Sequence, residues 1–490
     1  MKSAVWLLPL LCGTGAVVPA QQPLAFTHAT VVEVRSGQLL RDQTVIVEGN
    51  RIREAAYSGA VRIPPGARVV DATGKFLIPG LWDMHTHVLE TSHDSSGEDP
   101  QGLNDRERAF RLLIANGITG IRDMYTRVPL STVAVIRQQT ANGTLLGPRI
   151  VATGLLLDGD PPMFPGSIVV RSAQEAREAV RRLKREGADF VKVYSRLSRH
   201  AYFGIAEESI GLSIPFVGHV PESITPQEAS DAGQASIEHI YRFDETCYPD
   251  AAEDDKRYQE LDSDSRLSPA EKQKRRDALN DAWLAKINTV YCAPVFQHLA
   301  QKHTWVVPTL VDNRANAHFD DVDFKRDPRL KYLWREQKTW DAKHYPFLLE
   351  YAETRRDHRL WQFEIELNMV RALHGAGVSL LAGTDSGSPY VYPGFSLHDE
   401  LQLFVTCGFT PAEALQTATL NPAIFLGRTA DLGTIETGKL ADLVLLDANP
   451  LDDIANTRRI RAAVVNGRYL DRVALDAFLA EVVAGDPRSK

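Results

Sequence analysis

The segment Ile78-Pro-Gly-Leu-Trp-Asp-Met-His-Thr-His87 ends an apolar run with two imidazoles, His85 and His87. In a strand, residues i and i+2 project from one face, so both rings can reach one metal ion. A lone His-x-His is a weak signal, but further groups follow in order in or at the ends of other apolar runs. They are Lys192 in Phe190-Val-Lys-Val-Tyr194, His219 after Ile214-Pro-Phe-Val-Gly, His239 after Ser236-Ile-Glu, and Asp385 after Leu380-Leu-Ala-Gly-Thr. Neutral imidazole nitrogen suits zinc and related divalent ions. Each residue alone has a plainer reading: the histidines as hydrogen-bonded core or rim residues, Asp385 as a helix cap, Lys192 as salt-bridged or snorkelling. Recurrence at successive strand ends favours the ligand reading.

Lys192 sits in the middle of an apolar strand and shares a face with Phe190 and Tyr194. A buried ammonium without a partner costs several kcal/mol, so the amine must be neutralised, paired or chemically changed. Addition of carbon dioxide would give a carbamate, an anionic oxygen ligand able to bridge two ions. Asp385 can bind one ion, accept a proton from metal-bound water and pass it to a leaving group.

Parallel strands ending on one side would position such a set. The middle of the chain alternates strand and helix patterns, with strands ending near His87, Tyr125, Gly154, Tyr194, His219, Ile240, Val311 and Asp385. Eight is the number that a (β/α)8 TIM barrel needs, so the expected class is α/β. Ser172-Ala-Gln-Glu175, Thr225-Pro-Gln-Glu228 and Thr410-Pro-Ala-Glu413 mark helix starts. Ala176, Ala179, Val180 and Leu183 then follow a helical period. Short alternating runs at Thr30–Val34 and Gln43–Val47 return at Ala441–Leu446 and Ala462–Val465, predicting antiparallel strands at both ends. The expected organisation is a composite β-sandwich domain, residues 21–79 plus 430–490, around a barrel at 80–429. A charged stretch with its own capping signature, Ser268-Pro-Ala-Glu271, predicts a helical insertion at about 247–292, with further helix from about Asp327 to Leu373. These excursions are candidates for a lid, with solvated helical decoration as the alternative.

At 490 residues and 44% hydrophobic, the chain can build a large domain and a smaller one. A net charge of -8 without a basic run argues against nucleic acid and for a small-molecule substrate; a homo-oligomer is left open. Residues 1–20 read as an export signal, with Met1-Lys2 as the positive start, Ala4 to Leu11 as the apolar core and cleavage after Ala20. An uncleaved anchor is the alternative, but the apolar run is too short to span a bilayer, and no later run reaches about 18 apolar residues. Leu10-Leu11 before Cys12 lack the small residue that lipid attachment wants. The expected location is periplasmic or secreted. There Cys247 and Cys292 are a candidate disulfide, with an unpaired buried thiol as the alternative and Cys407 left over.

The ordered set resembles the amidohydrolase superfamily of metal-dependent hydrolases over nearly the whole mature chain. The resemblance rests on Phe76-Leu-Ile-Pro-Gly before His85-Thr-His87, the Lys192 strand, His219, His239, Gly383-Thr-Asp385 and the tail from Gly433 to Leu443. That tail is similar to the imidazolonepropionase-like and prolidase-like branch. The resemblance implies His85, His87 and Asp385 on the more buried metal, His219 and His239 on the other, and carbamylated Lys192 bridging both. The two divalent ions would be Zn2+, with Mn2+ or Co2+ as alternatives. Imidazolonepropionases use a single metal without a bridging lysine, so Lys192 places the chain on the two-metal side. Relatives that cleave dipeptides often carry Tyr two residues after the fifth-strand histidine; Pro221 stands there, and Tyr194 is a candidate to supply the phenol.

The function this implies is hydrolysis of a carbon–nitrogen bond, in an N-acyl amino acid or dipeptide, by a hydroxide bridging the metals, with Asp385 and Tyr194 as the catalytic side chains. The alternatives are a lactone, ester or phosphotriester hydrolase on the same site, and a binding protein that retains metal without turnover. Arg122, Tyr194, His200 and His398 are candidate substrate contacts; an internal ion pair with Asp123 is the other reading of Arg122, and a helix-start position that of His398. The loop Gly159–Gly166 after the third strand is expected to shape specificity.

Overall fold

The computed structural model describes residues 22–89, 105–240, 242–249, 251–333 and 355–484. Residues 1–20, read as an export signal, lie outside them. The alternating runs that follow form β1 (Leu24–Glu33), β2 (Gln38–Glu48), β3 (Arg51–Tyr57), β4 (Arg68–Asp71) and β5 (Phe76–Pro79). β1, β2 and β3 pair antiparallel as expected, whereas β4 and β5 both lie parallel to β1. The chain after β3 crosses back over the sheet instead of turning as a hairpin.

Parallel strands begin with β6 (Leu81–Thr86), β7 (Ile118–Asp123) and β8 (Arg149–Ala152), which form one three-stranded sheet. The connection after β8 holds two short strands that the sequence pattern did not show, β9 (Leu157–Asp158) and β10 (Ile168–Val169). They join β11 (Val191–Val193), β12 (Phe216–Gly218), β13 (Ser236–Glu238) and β14 (Trp305–Val307) in a six-stranded parallel sheet. Asp189 N–H donates to Ala152 O at 2.9 Å, linking the start of β11 to the end of β8. The extended segment 379–386 connects the other edges: Leu381 N–H donates to Val306 O, and Met84 N–H to Ala382 O. The fold is therefore TIM-barrel-like α/β. The lower interior is apolar, with Trp82, Met84, Val307 and Leu381 in one cluster.

The seventh strand stops at Val307, short of the expected Val311. Leu310–His318 is a helix instead, because buried Glu400 accepts from the first free amides, Leu310 N–H at 3.0 Å and Val311 N–H at 2.7 Å. The two carboxyl oxygens satisfy those amides, while burial raises the pKa of the group to about 8. The other helix starts follow the sequence pattern. Thr225, Ser268 and Thr410 form capping boxes with Glu228, Glu271 and Glu413. Ser172 caps Glu175 N–H, while the Glu175 carboxylate reaches Arg171 N–H. Ala176, Ala179, Val180 and Leu183 are the buried face of that helix.

The charged stretch folds as helices Ala251–Ser263 and Pro269–Leu284, followed by Thr289–Lys302 leading into β14. A Cys247–Cys292 disulfide ties the entry of this excursion to the third helix, and Cys407 is free and buried. From the expected stretch near 327–373 the described residues show the turn Pro328–Tyr332 and the helix Arg356–Gly375; the part between lies outside them. The C-terminal strands β15 (Leu443–Leu446), β16 (Ile460–Val465) and β17 (Arg468–Asp471) complete a sheet ordered β17-β16-β15-β5-β1-β2-β3, with β4 on β1. Phe26, Val45, Leu77, Leu443 and Val464, from both chain ends, share one core. Among the described residues no helix is long and apolar enough to cross a membrane.

Candidate metal centre

Parallel strands bring their C-terminal ends to one side, and the six expected ligands converge there. His85 and His87 leave β6 with ring centroids 5.4 Å apart. His85 and His219 each stand 4.8 Å from the His239 ring. Lys192 Nζ, inside β11, is 3.3 Å from His85 Nε2. Asp385 Oδ1 lies 2.8 Å from His87 Nε2 and 3.4 Å from His85 Nε2. One ligand atom each from His85, His239 and Asp385 all fall within 4.8 Å of one another.

The backbone is shaped to permit this convergence. Gly218, directly before His219, has φ +129°, and a Cβ there would lie 2.2 Å from Val193 O, so only glycine lets β12 approach β11 this closely. His239 and Asp385 hold left-handed φ values of 62° and 60°. Such conformations cost energy in residues with a Cβ and persist where the surroundings enforce them, often at active sites.

Each imidazole that closes the cluster is oriented through its Nδ1. His85 Nδ1 faces Glu238 Oε2 at 2.9 Å, His219 Nδ1 faces Ser195 Oγ at 2.9 Å, and His239 Nδ1 faces Thr309 Oγ1 at 2.7 Å. Nε2 is thereby left to face the cluster, the usual arrangement behind a metal-bound histidine. Burial, with Lys192 adding repulsion, holds His85 and His219 well below the usual imidazole range, and burial lowers His239 to about 4. Burial also brings the Lys192 amine down to about 8. Burial opposes ionisation of Asp385, but His85 and His87 outweigh it and keep the carboxyl well below its ordinary value. Neutral imidazoles, a carboxylate and an amine whose pKa is lowered enough to give a neutral fraction are a donor set that fits divalent cations.

The candidate substrate contacts divide. The Tyr194 ring lies tilted against His219, with centroids 4.0 Å apart, at the edge of the cluster. Arg122 does not reach a substrate: it is fully buried, donating to Met84 O at 2.6 Å, Ser236 Oγ at 3.0 Å and both Glu238 oxygens at 2.9 and 2.8 Å. It is an internal ion pair, but with Glu238; Asp123 instead accepts from Thr126 Oγ1 and Leu89 N–H. His398 is corrected likewise, since it packs inside the helix Phe395–Thr406, where its Nε2–H donates to Asn116 O at 3.0 Å. His200 is exposed on the first turn of the helix Arg199–Gly211.

Two carboxylates behind the site were missed. Glu238 joins His85 to Arg122, and Asp83 binds Thr384 through Oγ1 at 2.6 Å and N–H at 3.0 Å, fastening the Asp385 segment to β6. Burial raises Asp83 to about 7. Its signal was present, because Asp83, His85 and His87 are successive i+2 positions on one strand face.

Residues 76–470 match the Amidohydrolase family. An imidazolonepropionase of Pseudomonas entomophila (strain L48) is 24% identical over 422 residues, covering 85% of this chain and 90% of the relative. The ochratoxinase of Aspergillus niger is 41% identical over 428 residues, covering 77% of this chain and 71% of the relative. Among solved structures, bottromycin amidohydrolase superposes with a TM-score of 0.70 at 22% identity, covering 96% of this chain and 92% of that one.

Proposed function

This chain belongs to the amidohydrolase family, and from that premise we propose that it is an exported two-metal hydrolase cleaving an amide C–N bond of an N-acyl amino acid or peptide-like small molecule. The observation that carries the reading is the convergence of His85, His87, Lys192, His219, His239 and Asp385 at the ends of parallel strands. His85, His87 and Asp385 would hold one ion, His219 and His239 the other. The links through Asp189 and the segment 379–386 support a closed (β/α)8 barrel, and the core shared by both chain ends supports a composite β domain beside it. The Cys247–Cys292 disulfide favours an oxidising compartment, hence export.

When bound, two divalent ions, Zn2+ first among them for these ligands, polarise the scissile carbonyl and lower the pKa of water. The protein supplies the rest. With its amine brought to about 8, Lys192 has a neutral fraction at ordinary pH that can attack carbon dioxide. The new N–C bond forms with release of one proton, and the carbamate oxygens give the second anionic ligand of the set. Asp385, held as a carboxylate, takes the proton of the attacking water and returns it to the leaving nitrogen. Tyr194, whose ring lies beside His219, would hydrogen-bond the substrate as the C–N bond breaks.

Zinc-reconstituted protein assayed on panels of N-acyl amino acids, dipeptides, lactones and phosphotriesters tests the reading. Amide turnover that disappears on chelation and returns with metal is expected. Turnover of the lactones or phosphotriesters alone would replace the amide assignment.

A further inference from the structure

Tyr194 is the inner end of an aromatic series that leads outward from the metal cluster. Phe164, from the Gly159–Gly166 loop, meets Tyr194 with ring centroids 5.6 Å apart and Tyr125 at 6.3 Å. Tyr125 and Tyr194 are buried, with Leu156 behind them. Phe164 and its neighbour Met163 are not: 38% and 43% of their surfaces stay open. Single exposed apolar residues need no explanation, but these two sit side by side on a loop whose backbone is pinned.

Asp158 anchors the base of that loop by accepting from Gly159 N–H at 2.9 Å, Met163 N–H at 2.8 Å and Arg196 N–H at 2.8 Å. Tyr125 donates its hydroxyl to Pro165 O at 3.0 Å, and Arg196 donates to Pro161 O at 3.1 Å. At Gly159 a Cβ would lie 1.9 Å from Arg196 O, so the loop is drawn against the chain after β11 as closely as a backbone can be. An apolar ring on a backbone held this firmly, packed edge-on to Tyr194 and tilted against Tyr125 with the rest left open, offers a ligand a surface that loses little freedom on binding. Aromatic faces and edges are best complemented by another aromatic ring.

We propose that Phe164, with Tyr125 and Tyr194, forms an aromatic subsite beside the metal centre, and that the preferred substrates are amides carrying an aromatic ring next to the scissile C–N bond, as in N-acyl aromatic amino acids. The substrate class rests on the amide-hydrolase reading above; the subsite rests on the loop geometry. Phe164 is a specificity-determining residue here, and the series Phe164, Tyr194, His219 sets the distance from ring to reacting carbon.

Calorimetric titration of the zinc-loaded full chain with L-phenylalanine and with L-leucine tests the subsite without requiring turnover. The expected result is a preference for L-phenylalanine of about tenfold, reduced to under about twofold in Phe164→Ala and kept in Phe164→Tyr. No preference, a preference untouched by Phe164→Ala, or binding of neither amino acid overturns the proposal. Hydrolysis of N-acetyl-L-phenylalanine and of phenylalanine ethyl ester is then compared. If the binding preference holds while only the ester is cleaved, the aromatic subsite stands and the amide reading falls.

Discussion

Glu238 stands directly behind His85, its Oε2 2.9 Å from the imidazole Nδ1, with both side chains fully buried. The same carboxylate takes two hydrogen bonds from the Arg122 guanidinium. A neutral His85 donating from Nδ1 keeps Nε2 as a lone-pair ligand, so Glu238 fixes the tautomer that a metal needs. Glu238→Gln is expected to weaken metal binding roughly 10- to 100-fold. It should also destabilise the metal-free protein by about 3–5 kcal/mol, because Arg122 loses its buried counter-charge. Competitive chelator titration and thermal melting read the two effects. Unaltered metal affinity would leave Glu238 as a structural partner of Arg122 alone.

In the proposed reaction Asp385 is both a metal ligand and the proton carrier. Asp385→Asn keeps an oxygen at the same place but removes the base, so kcat is expected to fall roughly 10²- to 10⁴-fold, with more than half of the metal retained by elemental analysis. A variant that loses its metal instead would make Asp385 a ligand only.

Lys192 lies within 3.3 Å of His85 Nε2 and has its amine lowered to about 8 by burial. As a carbamate it would join the two halves of the site. Lys192→Met should therefore bind fewer ions per chain than the wild type. Reconstitution of metal-free wild type should slow when the buffer is stripped of carbon dioxide and recover when bicarbonate is added. Equal metal content in the variant and a rate indifferent to bicarbonate would leave Lys192 an ordinary buried amine.

The Cys247–Cys292 bond closes a segment with a sequence separation of 45 residues. By loop-closure entropy its loss costs about 4 kcal/mol. Chemical denaturation of the Cys247→Ser, Cys292→Ser double variant should show this as a lower midpoint, and wild type melted in reductant should move the same way. The third helix carries Cys292 and Phe296 into the core, so a midpoint that does not change would mean that packing alone holds the excursion.

The convergence of the strand-end candidates was legible in the sequence because a parallel strand delivers its last residues to one face of the fold, and an apolar run followed by His or Asp marks that point. What surrounds them was not. Glu238 and His239 are adjacent, and strict alternation would send them to opposite faces. Both serve the site because His239 adopts φ 62° and breaks the strand period. The partner of Arg122 was misread as Asp123, the nearest acid in sequence, whereas the acid that reaches it is 116 residues away. Val311 looked like the end of a strand because the apolar run continues past β14. The capping carboxyl group that turns it into helix comes from Glu400, some 90 residues later. Local pattern finds residues that act at the end of their own element; it does not find those recruited across the interior.

His398 gives a pH signature apart from the candidate metal centre. Burial first, with Arg458 adding repulsion, lowers its pKa to about 4, and its Nε2–H donates to Asn116 O. In the unfolded chain the imidazole titrates near 6.5. Between these values the unfolded state binds a proton that the folded state does not. The contribution of neutral His398 is therefore fully present above about pH 6.5 and is lost as pH falls towards 4, by on the order of 3 kcal/mol. His398→Gln cannot titrate, so its stability should decline less steeply over that window even if it starts lower at pH 7. Denaturant midpoints measured from pH 7 to pH 4 compare the slopes directly. Parallel curves for the two proteins would mean that acid destabilisation arises at other groups.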